Sequence, residues 1–300
     1  MSMRVTPATM NRSVMSGLQA NLARLQQTQQ QLSSGRRLNR PSDSPTDTAA
    51  AMRLRGEQTR TEQLGRDVDD GLTWLGSADS TMTQASSLVL RVRQLLVAGQ
   101  NGTNGPSERA AMASEVDELR TSLIGLGNTQ YLGRPIFAGT QDVPAAFDET
   151  TGAYLGNGDA VQRNVSADGT AQVGVTLPGP EVFSTLFKGS GADPGLLTRI
   201  SDALRAGDST AMNTALGDLD RASETMQNAQ SLVGSRYNRL LGVQSRGEAQ
   251  LDAVGASLAT TENIDLPKTI IDMQLQQTAY QAALGSAAKI IQPSLVDFLR

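Results

Sequence analysis

The chain has 300 residues, 38% apolar and 19% charged, with 26 Lys and Arg against 30 Asp and Glu for a formal charge of −4. That is long enough to bury a core, and too weakly acidic to point to nucleic acid or an anionic membrane as partner. With no Cys and no His, disulfides, thiolate nucleophiles, Fe–S clusters, Cys-ligated zinc and His-based triads all fall away. Carboxylate and Ser-Lys chemistry survive on paper, and no metal or cofactor is expected. Lacking Cys, the chain can also pass between reducing and oxidising compartments unharmed. Aromatic residues are 3%, with Trp74 the single tryptophan, so the core is expected from Leu, Val, Ile, Met and Ala. That composition suits interlocking helices, giving a mainly α fold. No run of about 18 apolar residues suggests a membrane span. Met1-Ser2-Met3-Arg4-Val5-Thr6 lacks the apolar stretch of a cleaved signal peptide.

From Val14 the apolar spacing is helical. Val14, Leu18, Leu22, Leu25 and Leu32 advance by 4, 4, 3 and 7, with Gln29 in the missing turn. Gln26, Gln27, Gln30 and Gln31 occupy the other faces, so the helix is a polar rod with a narrow seam. Gly35 is placed to end it. Pro41-Ser42-Asp43-Ser44-Pro45-Thr46-Asp47 is a turn, with Thr46 or Asp47 expected to cap the next helix. That helix is predicted over Thr48 to Ala98, faced by Leu64, Val68, Leu72, Leu75, Met82, Val89, Val92 and Leu96. Asn101-Gly102-Thr103-Asn104-Gly105 breaks it. Pro106 opens a third, with Met112, Val116, Leu119, Leu123 and Leu126 on one face. Short loops between long helices imply antiparallel neighbours.

From Gly133 the period changes. Asn157-Gly158 and Asp168-Gly169 read as hairpin turns, Val173, Val175 and Leu177 alternate, and Pro178-Gly179-Pro180 closes that strand. A small β-meander with Gly-rich loops is predicted over about 141–195. Helical spacing resumes at Leu196 and is followed through Met212, Leu219, Met226, Val233, Leu240 and Val254 as one long face.

The last segment mirrors the first. Asp265 before Leu266-Pro267 is an N-cap signal. Ile270, Met273, Gln277, Tyr280, Leu284, Ala287 and Ile291 alternate steps of 3 and 4, and Leu295 and Phe298 extend the stripe. Pro293 predicts a kink or break. Two readings of the terminal helices stand side by side. They pack on the same bundle, or they order only in a multi-subunit assembly, because a thin-seamed helix is marginal alone. The expected architecture is an elongated antiparallel helical rod with paired terminal coiled-coil helices and a small inserted β segment. Its parts are an N-terminal assembly helix at 1–45 pairing with 262–300, an outgoing half at 46–140, a β outgrowth at 141–195 and a returning half at 196–261.

Several short strings carry a partial chemical pattern. Asp67-Val68-Asp69-Asp70-Gly71 starts like a calcium loop, but its Gly comes one residue early and Ala78 stands where the bidentate Glu belongs. Ser286-Ala287-Ala288-Lys289 fits S-x-x-K without companion motifs. Arg36, Arg37 and Arg40 form a basic cluster without aromatic neighbours for base stacking. Asn11, Asn101 and Asn164 open N-x-[ST] triplets of the kind that recur by chance.

Longer strings carry more. Gln31-Leu32-Ser33-Ser34-Gly35 leads into Pro41-Ser42-Asp43-Ser44-Pro45. Gly133-Arg134-Pro135-Ile136-Phe137-Ala138-Gly139 lies mid-chain, and Gln276-Gln277-Thr278-Ala279-Tyr280-Gln281-Ala282-Ala283-Leu284 lies near the end. Together these resemble the flagellin superfamily, and within it the subunits at the hook–filament junction. Ser44 departs from the family's Asp, and Pro135-Ile136 from its Tyr-Leu. The resemblance implies a secreted, non-enzymatic structural subunit of the bacterial flagellum, exported unfolded, with a cytoplasmic export chaperone guarding the C-terminal segment. It implies a homo-oligomeric ring contacting hook-associated protein 1 and flagellin. The assembly interface is expected at the seam residues of the two terminal helices, and the joining turn at Pro41, Ser42, Asp43 and Pro45. A filament flagellin is the alternative reading, and a hydrolase using Ser286 and Lys289 the remote one.

Overall fold

The computed structural model describes residues 7–166, 168–177, 179–187 and 194–298, with residues 7, 8, 10, 184 and 289–298 described through the backbone alone. Among the described residues the fold is mainly α, with two small antiparallel hairpins. The helices are α1 (Pro7–Ser34), α2 (Pro45–Gly99), α3 (Pro106–Gly127), α4 (Gly179–Phe187), α5 (Leu196–Ala206), α6 (Ser209–Glu262) and α7 (Leu266–Phe298). The hairpins are β1 (Gln130–Tyr131) with β2 (Arg134–Pro135), and β3 (Gln162–Asn164) with β4 (Gln172–Gly174). The chain divides into two compact units, one of 1–59 and 251–300, the other of Arg60–Gln250.

In the first unit α1 packs along α7. Gly35 takes a left-handed φ of 70° and ends α1, as a C-terminal glycine does. The cap of α2 differs from expectation: it is Ser44, whose Oγ accepts the Asp47 amide at 3.4 Å, with Pro45 opening the helix. Pro45 has no amide hydrogen to satisfy there, so the helix starts earlier than its apolar face suggests. Asp265 caps α7 as expected, its Oδ1 accepting the Lys268 amide at 3.1 Å. α7 continues through Pro293 to Phe298, so the helix is not broken there.

The second unit holds the large core. Leu75, Met82 and Leu96 of α2, Leu123 and Ile124 of α3, and Leu219, Met226 and Leu240 of α6 are buried together. The expectation of an aliphatic core needs one correction. Phe137, Phe147, Phe183 and Phe187 form a single cluster, with Phe147 edge-on to Phe187 at 5.1 Å and Phe183 stacked on Phe187 at 5.4 Å between ring centres. Such pairs add stabilisation beyond their buried area. Four of the chain's five Phe residues therefore serve one small region.

That region is not the expected meander. The Asp168-Gly169 hairpin forms between β3 and β4. Asn157-Gly158 instead lies beyond an isolated bridge between Phe147 and Tyr154, and residues 179–187 are helical. Pro180 lies in the first turn of α4 rather than only closing a strand, and Val182, Phe183, Leu186 and Phe187 supply the helix's buried face. The single returning helix is also two. Gly207, at φ 67°, ends α5, and Asp208 caps α6 by accepting the Thr210 and Ala211 amides at 2.9 and 3.0 Å.

Candidate assembly interface

The seam between α1 and α7 decides which side chains remain available to other molecules. On α1, Val14, Leu18, Leu25 and Leu32 are half-buried, while Leu22 is 39% exposed. Thr28, not Gln29, fills the turn between Leu25 and Leu32. It is buried, and its Oγ1 donates to Gln276 Oε1 at 2.9 Å and to Arg24 O at 3.0 Å. A polar bond across a helix pair is the kind of contact that fixes register.

On α7 the inner line runs Thr269, Met273, Gln276, Tyr280, Ala283 and Ala287, all buried or half-buried. The expected line shares Met273, Tyr280 and Ala287 with it. Ile270, Gln277 and Leu284 each sit one position past the residue that turns inward. The physical reason is size and pairing: Thr269 and Ala283 need less room between the helices, and Gln276 meets Thr28. The large aliphatic side chains are displaced outward. Ile270 and Leu284 are partly exposed, and Ile271 and Leu275 are 64% and 67% exposed. An a/d spacing places Ile270 and Leu284 inward and gives Ile271 and Leu275 no inner position, so the sequence marks this band only as an excess of aliphatic residues. The predicted interface residues Ile291, Leu295 and Phe298 lie outside the described side chains.

The joining turn is built from main-chain contacts. Arg36 and Asn263 form an antiparallel bridge, the Arg37 amide donates to Glu262 O at 2.6 Å, and the Ile264 amide donates to Gly35 O at 3.2 Å. The connector leaving α1 is thus stitched to the connector entering α7. Asp43 Oδ2 accepts the Asn39 and Arg40 amides at 3.1 and 2.9 Å, which rounds the turn. Pro41 and Ser42 lie exposed on it, and Pro45 begins α2. Arg37 completes the joint, reaching Asp47 Oδ2 at 2.9 Å and Thr261 O at 2.9 Å. A cation at the carbonyl end of α6 is favourably placed against the helix dipole. Glu262 is nearly buried and accepts Arg55 Nη2 at 2.8 and 2.9 Å through its two oxygens.

The chemical motifs resolve into structure. Asp70 pairs with Arg163 at 2.6 Å, Asp69 accepts from Gln244 at 2.8 Å and Asp67 from Gln63 at 3.0 Å, so the three carboxylates point at three partners. Gly71 is closely packed, with Leu240 Cδ1 2.9 Å and Val175 Cγ1 3.2 Å from where a Cβ would stand. Among the described residues no group of three acidic side chains could hold a metal ion. Ser286 is exposed, and the Lys289 side chain lies outside the described residues. No helix among the described residues is long and apolar enough to cross a membrane.

Residues 6–142 match the bacterial flagellin N-terminal helical region. The likeness is to the flagellin superfamily. Flagellar hook-associated protein 3 of Escherichia coli is 26% identical, covering 94% of this chain and 95% of that protein. Flagellin of Bacillus subtilis is 25% identical, covering 92% of both. The crystal structure of Bacillus cereus FlgL shares the fold at a TM-score of 0.60 and 23% identity, covering 69% of this chain and 99% of that one. The flagellin-type likeness runs through both the paired terminal helices and the second unit, and supports a flagellar structural protein.

Proposed function

We propose that this chain is the structural subunit joining the flagellar hook to its filament. The observation that carries the reading is the displaced aliphatic band on α7. A small, partly polar inner seam already serves the α1–α7 pair, while Ile270, Ile271, Leu275 and Leu284 remain exposed beside it. Apolar side chains in such a row gain by burial against another molecule. In this reading the band, with Val14, Leu18, Leu22, Leu25 and Leu32 and with Ile291, Leu295 and Phe298, packs against neighbouring subunits as a ring. Pro41, Ser42, Asp43 and Pro45 set the angle at which the terminal pair leaves the turn. Hook-associated protein 1 lies on one side and flagellin on the other. The subunit leaves the cell unfolded to reach the extracellular flagellum, with a cytoplasmic chaperone covering its C-terminal segment beforehand, and catalyses nothing.

Two variants test this. Deleting residues 270–300 should leave most helicity in place, yet filaments should fail to attach and flagellin should appear in the medium. Ile271→Asp with Leu275→Asp should do the same while leaving the melting temperature of the free protein unchanged. Normal filaments in both strains would refute the proposal. The filament reading is favoured by the flagellin likeness over 92% of the chain. It predicts that the purified protein alone grows long filaments, whereas a junction subunit stops after a limited layer.

A further inference from the structure

The sequence contains three Asn-Gly pairs, at Asn101-Gly102, Asn104-Gly105 and Asn157-Gly158. Asparagine followed by glycine is chemically labile, because no side chain shields the following amide nitrogen and the backbone there turns freely. Their surroundings differ sharply. Asn157 is locked on every side: Nδ2 donates to Thr140 Oγ1 at 2.8 Å and to Asp159 Oδ2 at 3.1 Å, and Oδ1 accepts the Thr140 amide at 2.9 Å. Its own carbonyl accepts the Tyr154 hydroxyl at 2.6 Å.

Asn104 is restrained twice. Its Nδ2 donates to Ala98 O at 2.6 Å. The nitrogen that would attack it belongs to Gly105, which precedes the first turn of α3 and has the Glu108 carboxylate beside it. Glu108 Oε2 lies 2.6 Å from where a Gly105 Cβ would be. A negative charge held beside Gly105 opposes the amide deprotonation that the attack needs.

Asn101 carries only one side-chain contact among the described residues, Oδ1 accepting the Thr103 amide at a long 3.3 Å. The residue is exposed, and no atom stands within 4 Å of a Cβ built on Gly102. We propose that Asn101 is a spontaneous deamidation site, and that the fold protects the other two pairs. The Gly102 nitrogen attacks Asn101 Cγ and a C–N bond forms. The Cγ–Nδ2 bond then breaks, and Nδ2 departs as ammonia with the proton from the Gly102 amide. Water opens the resulting succinimide at either carbonyl, leaving aspartate or isoaspartate. The product adds one negative charge at the corner between α2 and α3, and the isoaspartate form also lengthens the main chain there.

The test uses the full chain incubated at mildly alkaline pH, folded and in urea, followed by tryptic mapping with fragment ions. The tryptic peptide from Gln94 to Arg109 contains both Asn101 and Asn104, so fragmentation separates them. The folded chain should convert Asn101 several-fold faster than Asn104 or Asn157, and urea should erase that ranking. Asn101→Gln should remove the fast component of ammonia release. Glu108→Ala should speed conversion at Asn104, with the circular dichroism spectrum confirming an intact fold. An unchanged ranking in urea, or a folded chain that retains Asn101 while converting Asn157, would overturn the proposal.

Discussion

The two units stabilise themselves differently. In the second, Leu75, Met82, Leu96, Leu123 and Phe183 are wholly buried, and the large apolar residues left exposed, such as Leu132 and Leu90, stand outside an extensive core. In the first, the buried apolar residues among those described are Ala51, Val254 and Ala287, all small or medium-sized. Most of the large exposed ones belong to it, among them Met15, Met52, Leu266, Ile271 and Leu275. A helix pair with so little apolar burial of its own gains most from further packing. The contrast separates a region that carries its own core from one that leaves much of its apolar surface in solvent.

The most forceful way to break that comparison is to cut into the second unit's core and into the first unit's exposed band. Leu75→Ala, in the second unit, should cost about 3 kcal/mol through lost contacts and the cavity left behind. Ile271→Ala, in the first, should shift stability by no more than about 0.5 kcal/mol because the side chain already faces solvent. Urea denaturation of the two variants gives both numbers. Equal losses would mean that Ile271 is packed in the free protein and that the contrast is false.

A smaller effect sharpens the account of the joint. Arg55→Ala leaves the nearly buried Glu262 carboxylate without its partner. A hydrogen bond to a charged group contributes roughly 1.5–3 kcal/mol. Arg55 is about half exposed, so solvent screening reduces the expected loss to about 1–2 kcal/mol. Denaturation of Arg55→Ala beside Arg55→Lys measures it, and the lysine variant should recover most of the loss, since a single nitrogen, Nη2, makes both contacts to Glu262.

Much of this was legible in the sequence, and the misses have physical causes. Helix ends with an unambiguous cap, such as Gly35 and Asp265, could be read from one residue. The turn before α2 offered several candidate caps, and Pro45 tipped the choice to Ser44 by fixing where the first turn begins. The break between α5 and α6 was signalled by Gly207-Asp208, a helix stop followed by a cap, but the apolar stripe continuing on either side masked it. Pro178-Gly179-Pro180 serves equally to end a strand and to start a helix. Only the 3-and-4 spacing of Val182, Phe183, Leu186 and Phe187 separates the two. At the candidate interface, an apolar template puts the largest aliphatic side chains inside. Packing put Thr28 against Gln276 and turned Ile270 and Leu284 outward. A hydrogen bond between distant residues has no period, so no spacing rule could have found it.

The smallest effect belongs to the β3–β4 turn in the second unit. The hydroxyls of Ser166 and Thr170, and then the Thr170 amide, hold the Asp168 carboxyl down to about 2. Thr170 Oγ1 donates to Asp168 Oδ1 at 2.8 Å. An unfolded aspartate titrates near pH 3.9, so the native state favours the ionised form more than the unfolded state does. The sign follows: the contribution is fully present above about pH 4 and fades as pH falls from there toward about 2. Asp168→Asn should therefore melt slightly below the natural chain near neutral pH, and the gap should close on acidification over that window. A gap that stayed constant down to about pH 2 would mean that the turn depends on the shape of the side chain and not on its charge.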